Sequence, residues 1–294
     1  MSWQELSISV PHEYVEPVSY LFSRYGKGLS TEPQGAGRVM LRTYLESGSE
    51  QRLARIDIGI RLISSIEPLG DLAIRGLDDG EDWQNSWKEH YDALPVGARL
   101  IIKPSWVELE EGATEGRVVI ELDPGIAFGT GYHPSTYTCM EALEDLVRPG
   151  MKMLDLGTGS GILTITALRL GAESVVALDI DGQAVSAARQ NFRRLRLQEQ
   201  VALVKGSVPH PMAPAGSFDL AAANISARGV ADRAPFILQC LRPGGMLIAS
   251  GLLASQRPEV DDAAMSLGFA PELEWPREEW LTIAYRAPGG ADVT

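Results

Sequence analysis

At 294 residues, 45% of them hydrophobic and 22% charged, the chain is too long for one ordinary core and suits two globular domains rather than a disordered polymer. Its formal charge of -13 speaks against a free-standing nucleic-acid binder, which would be basic, and suits a basic protein as partner. Two cysteines, Cys139 and Cys240, and four scattered histidines show neither a disulfide framework nor metal-ligand spacing, so no metal is expected.

The first residues, Met1 to Leu6, lack a basic region followed by an apolar core, and no apolar run is long enough to span a bilayer. A cytoplasmic protein is expected. Trp3 to Val10 alternates as a strand, and Glu13 to Tyr25 carries helical apolar spacing (Val15, Val18, Leu21, Phe22) that stops at Gly26. A short strand within Gly28 to Pro33 is followed by one from Gly37 to Glu46, a helix from about Glu50 to Ile66, and a strand near Asp71 to Leu77. The order βαββαβ is a ferredoxin-like α+β layout. Next, Asp78 through Tyr91 is acidic and aromatic; Trp83 and Trp87 lie four apart and share a helical face, so a short helix is expected there.

A strand through Arg99 to Lys103 enters Pro104-Ser105-Trp106, and another begins at Arg117. A glycine-rich loop from Asp123 to Tyr132 precedes a helix that starts near Ser135 and ends at Pro149-Gly150. Strands near 152–156, 174–179, 201–205, 218–224 and 246–251 then alternate with helices, which predicts a mostly parallel sheet covered on both faces. The stretches Phe269 to Trp275 and Glu279 to Ala287 read as a terminal hairpin that adds one antiparallel strand to it. The expected organisation is a small α+β domain over 1–77, a helical linker over 78–95 and an α/β domain over 96–294.

The chemistry concentrates at the carboxyl ends of those strands. Gly157, Gly159 and Gly161 form a G-x-G-x-G turn two residues after Asp155, tighter than the G-x-G-x-x-G that seats a pyrophosphate. Gly157 lets a ligand approach the backbone, and Gly161 permits close helix packing. Asp179 ends the second strand, where a carboxylate accepts both ribose hydroxyls, while Asp181 suits the cap of the following helix. Asn224 ends the fourth strand and offers a neutral amide to a cofactor's amino-acid portion or a substrate amine, orienting it without competing as a nucleophile. In the loop, glycines around Phe128 suit a lid, and the hydroxyl and amides at Ser135-Thr136 suit a cofactor carboxylate or plain helix capping. His133, alone before a proline, reads as structural rather than as a general base.

Together the runs Leu122-Asp123-Pro124-Gly125-Ile126-Ala127-Phe128-Gly129-Thr130-Gly131, His133-Pro134, Leu154 to Leu163, Asp179-Ile180-Asp181 and Ala223-Asn224-Ile225 resemble the ribosomal protein L11 methyltransferases, the PrmA family. Asp82-Trp83 to Trp87-Lys88, Pro104-Ser105-Trp106, Leu241 to Gly245 and Ser250 to Leu253 are also similar to it; the first 75 or so residues agree only in layout. Tyr132 and Ser135 stand where threonine is common in the family. The resemblance implies a Rossmann-like class I methyltransferase domain with a seven-stranded sheet, and S-adenosyl-L-methionine as cofactor. It implies cofactor contacts from Thr136, Gly157, Asp179 and Asn224, beside which Gly159 of the turn and Phe128 of the loop are further candidates, and methylation of lysine and N-terminal amines on the ribosomal protein. The N-terminal domain would recognise that protein, and the enzyme is expected to be a monomer that makes no contact with nucleic acid or membrane. Competing readings are a methyltransferase of other lysines or small molecules, a non-catalytic cofactor-binding module, and a nucleotide-dependent oxidoreductase, the last opposed by the glycine spacing.

Overall fold

The computed structural model describes residues 3–35, 37–64, 69–77, 93–109, 112, 116–122, 131 and 133–289. The chain divides into two compact units. The expected connector helix and the loop from Asp123 to Thr130 lie outside the described residues.

The first unit begins with β1 (Trp3–Pro11), whose alternation buries Leu6, Ile8 and Val10 on one face. A 3-10 turn leads into α1 (Val15–Tyr25), which lays Val18 and Phe22, one turn apart, on that face. Its end at Gly26 is a matter of space: a Cβ there would overlap Thr43. The strands β2 (Lys27–Gly35) and β3 (Arg38–Glu46), the helix α2 (Glu50–Ser64) and β4 (Ala73–Leu77) complete the βαββαβ order. The sheet order is β2-β3-β1-β4 with every pairing antiparallel, the ferredoxin-like arrangement expected. The expected short strand in Gly28 to Pro33 belongs to a nine-residue β2.

The second unit opens with a small sheet of β5 (Leu94–Val96), β6 (Leu100–Lys103) and β7 (Val118–Glu121), in that order. The long helix α3 (Pro134–Leu146) is tied to the β5–β6 turn by Glu144, whose carboxylate accepts the amides of Ala98 and Arg99 at 3.2 and 3.1 Å. Then come β8 (Lys152–Leu156), α4 (Ile162–Arg169), β9 (Ser174–Asp179), α5 (Gly182–Arg194) and β10 (Val201–Lys205). The chain continues through β11 (Phe218–Asn224), α6 (Ala227–Cys240), β12 (Leu241–Leu253), α7 (Arg257–Met265), β13 (Ala270–Arg277) and β14 (Trp280–Arg286).

The main sheet runs β10-β9-β8-β11-β12-β14-β13. Its first five strands pair in parallel, and β14 is antiparallel to both neighbours, as the terminal hairpin implied. The period of two divides the central strands between two cores. Met153, Ala177, Ala222 and Ile248 join the core beneath α3, α4 and α5; Leu154, Leu178, Ala221 and Leu247 join the one beneath α6 and α7. Strand order reverses between β8 and β11, so a crevice opens outside the carboxyl ends of that pair, where open α/β sheets bind ligands. Among the described residues no helix is long and apolar enough to cross a membrane.

Candidate functional site

Three of the expected residues sit where this crevice requires. Gly157 follows β8, Asp179 ends β9 and Asn224 ends β11. The side chain of Thr136, in the first turn of α3, is completely buried and accepts a hydrogen bond from Asn224 Nδ2 at 3.3 Å. The other end of that amide, Asn224 Oδ1, is buried without a hydrogen-bond partner among the described residues. A buried amide oxygen left in that state carries a desolvation cost of ~1–3 kcal/mol, which a donor entering the crevice would relieve. The expected contact from Phe128 lies outside the described residues.

Gly157, Gly159 and Gly161 all have left-handed backbones, with φ of 78°, 55° and 87°, so side chains at these positions would be strained. Gly161 also answers to packing, since a Cβ there would run into the Phe192 ring of α5. At Gly157 a Cβ would strike Ile225, so the protein's own packing demands glycine there before any ligand does. The amides of the turn are spent inside the protein. Those of Gly157 and Thr158 donate to Leu178 O at 2.8 and 3.0 Å, that of Gly161 to Thr158 O at 2.8 Å, and that of Ile162 to Ser160 Oγ at 3.3 Å. The Gly159 amide donates to Asp179 Oδ2 at 2.9 Å. A pyrophosphate-binding turn keeps such groups for its anion; here those of Gly157, Thr158, Gly159, Gly161 and Ile162 are bonded within the protein.

Asp179 therefore does more than end a strand. Its Oδ2 holds the glycine turn and its Oδ1 accepts the Asp181 amide at 2.9 Å, leaving each oxygen further acceptor capacity for a hydroxyl. Asp181 caps α5 as expected, accepting from Gln183 N at 2.9 Å. The cap of α3 differs from expectation. The helix starts at Pro134, and its N-cap is His133, whose Nδ1 accepts the Ser135 amide at 3.2 Å and meets Ser135 Oγ at 2.8 Å. Proline suits the first helical position because it lacks the N–H that would go unpaired there, which moves the cap back to the histidine. An Nδ1 that accepts from an amide leaves the proton of the neutral ring on Nε2. His133 also packs edge-on against Trp280, centroids 4.5 Å apart, in a structural role.

Other site residues, Asp155 ahead of the glycine turn among them, had no role assigned from the sequence. Asp155 is completely buried; its Oδ2 accepts from Thr158 Oγ1 at 2.7 Å and Thr164 Oγ1 at 2.6 Å, while Oδ1 is buried without a hydrogen-bond partner among the described residues. Burial pushes its carboxyl up to about 6, against the pull of the two threonine hydroxyls and with a smaller push from Asp179. Its signal was the lone acid between Leu154 and Leu156 in an apolar strand. Thr138 in α3, and Ser250 and Thr282, each a single hydroxyl within an apolar run, are likewise completely buried.

Nearly the whole chain is similar to known proteins. Residues 2–288 match the family "Ribosomal protein L11 methyltransferase (PrmA)". The chain belongs to that family. A ribosomal protein L11 methyltransferase of Chloroflexus aurantiacus is 37% identical across 98% of each chain, and one of Herpetosiphon aurantiacus is 34% identical across 98% of this chain and 100% of its own. The crystal structure of a ribosomal protein L11 methylase from Lactobacillus delbrueckii subsp. bulgaricus is 32% identical and superposes with a TM-score of 0.61, covering 67% of this chain and 100% of that one. Membership makes the chain an S-adenosylmethionine-dependent methyltransferase. The site fits that cofactor on two counts: the amides of Gly157, Thr158, Gly159, Gly161 and Ile162 are bonded within the protein rather than held open for a phosphate, and the orphaned Asn224 oxygen suits an ammonium or amine donor.

Proposed function

We propose that this protein transfers methyl groups from S-adenosylmethionine to amino groups of ribosomal protein L11, at lysine side chains and the N-terminal α-amine. The observation that carries the reading is the Thr136–Asn224 pair with its buried, unpartnered Oδ1 at the switch point of the sheet. Thr136, Gly157, Gly159, Asp179, Asn224 and Phe128 form the cofactor site, with Asp179 taking the ribose hydroxyls. When bound, the cofactor supplies a sulfonium-activated methyl that needs no acid to make it electrophilic.

The protein's share is alignment and exclusion of water. An unperturbed lysine titrates at about 10.4, so its amine must give up a proton before it can attack. Entry into the crevice favours the neutral form, because desolvation penalises the ammonium. Asn224 then orients the amine through an oxygen atom. The methyl would then pass from the bound cofactor's sulfur to the amine nitrogen, and the proton given up by the amine would pass to water.

Residues 1–77 recognise the ribosomal protein, 78–95 link, and 96–294 catalyse. A chain carrying a charge of -13 suits a basic partner. The enzyme works in the cytoplasm as a monomer, without binding nucleic acid itself. Incubation with labelled S-adenosylmethionine and ribosomal protein L11, followed by mass-spectrometric mapping, should place methyl groups on those amines. Transfer to other acceptors in a panel but none to this one would refute the substrate. Full transfer and full cofactor affinity in Asn224→Ala would refute the role given to Asn224.

A further inference from the structure

Behind Thr136 lies a closed set of hydroxyls that the proposed chemistry does not use. Thr282 Oγ1, on β14, is 2.6 Å from Ser250 Oγ and 2.7 Å from Thr138 Oγ1. Ser250 Oγ donates to the Ser135 carbonyl at 3.0 Å, and Thr138 Oγ1 lies 3.0 Å from the Pro134 carbonyl. Thr138 Oγ1 also lies 3.3 Å from the Ser135 carbonyl, so five contacts share three hydroxyl protons. Both hydroxyl–hydroxyl contacts are short and need a proton each, and the third proton serves a carbonyl in the first turn of α3. Thr282 is the middle of this relay, linked to α3 directly through Thr138 and again through Ser250 of β12.

The relay ends on the carbonyl immediately before Thr136, and Ser250 is the register partner of Asn224 across β11 and β12. The relay thus ends in the turn that carries Thr136, and its Ser250 lies beside Asn224 in the sheet. Two residues before Thr282, Trp280 braces the His133 cap of the same helix turn. A completely buried relay of this kind is costly when half satisfied and rigid when complete.

We propose that Thr282, acting through Ser250 and Thr138, is a positioning residue that fixes the first turn of α3 so that Thr136 meets Asn224. This rests on the reading that those two residues hold the cofactor. Thr282→Val keeps the branched shape and removes the hydroxyl.

The test titrates the full-length protein with S-adenosylhomocysteine by calorimetry, in wild type, Thr282→Val, Thr282→Ser and Val260→Ala. Val260 is buried in α7 on the opposite face of the sheet and controls for lost stability alone. Thr282→Val should weaken binding about tenfold, the effect of losing one well-placed hydrogen bond. In turnover, KM for S-adenosylmethionine should rise with kcat changed less. Thr282→Ser should restore affinity to within about twofold of wild type, and Val260→Ala should lower the melting temperature without weakening binding. If Thr282→Val does not fold, Ser250→Ala carries the same expectation. Binding by the hydroxyl-deleted variant within about twofold of wild type overturns the proposal, as does equal weakening in Val260→Ala or failure of serine to rescue. A wild-type protein that does not bind S-adenosylhomocysteine overturns the cofactor reading itself, an outcome separate from all of these.

Discussion

Replacing Asp155 with asparagine isolates the free energy of burying one carboxylate beneath the glycine turn. The carboxyl is completely buried, and burial raises it from an ordinary value of 3.8 to about 6. Between those values the native protein keeps a proton that the unfolded chain releases, so stability falls as pH rises from near 4 to near 6. A gap of about two pH units, at about 1.4 kcal/mol each, amounts to about 3 kcal/mol lost by pH 7 relative to strong acid. Any pH dependence shared by the two proteins cancels on subtraction, so the informative quantity is the wild-type stability minus that of Asp155→Asn. The asparagine oxygen can take the Thr158 and Thr164 hydroxyls, and its amide in place of Oδ1 adds a cost that does not vary with pH. The difference should therefore decline by about 2–3 kcal/mol between pH 4 and 7. Urea unfolding, read by pulse-labelled hydrogen exchange of the peptide spanning β8, follows the second unit alone. A difference that stays flat across that range would show that burial does not penalise the charged carboxylate, and the account of Asp155 would be wrong.

The other expected outcomes separate structural duties from cofactor binding. Asp181→Ala should cost about 1 kcal/mol through the lost cap of α5 and leave S-adenosylhomocysteine affinity within about twofold of wild type in the same calorimetric titration. Asp179→Ala removes the tether of the Gly159 amide together with the proposed ribose contact, so affinity should fall by about tenfold or more. Equal affinities in the two variants would contradict that division of labour. Gly157→Ala should destabilise the second unit by about 2–4 kcal/mol, through left-handed backbone strain and overlap with Ile225. Adding Ile225→Ala opens room for the new methyl while leaving the strain, so a double-mutant cycle in urea should show favourable coupling; simple additivity would mean that Ile225 is not what the methyl strikes.

Periodicity carried most of the second unit into view. The central strands of the main sheet are short apolar runs that end in chemistry-bearing residues, so Gly157, Asp179 and Asn224 could be placed along one crevice before any contact was known. The three-residue β5, Leu94-Pro95-Val96, lies below the length at which alternation becomes a signal, and its pairing depends on the turn at Gly97 and on β6. The cap at His133 was hidden for a different reason. Serine and threonine are the usual caps, and only Pro134 at the first helical position shows that Ser135 and Thr136 already lie inside the helix. The hydroxyl relay was the least visible of all, because Thr138 and Thr282 meet across 144 residues of sequence. What the sequence does display is a misfit: single hydroxyls within the apolar runs Leu247 to Leu253 and Trp280 to Ala284. Burial requires each such hydroxyl to find a partner, and the helix that presents Thr136 is one of the partners they find. A polar residue that looks misplaced within a strand can therefore point to the backbone that positions the site.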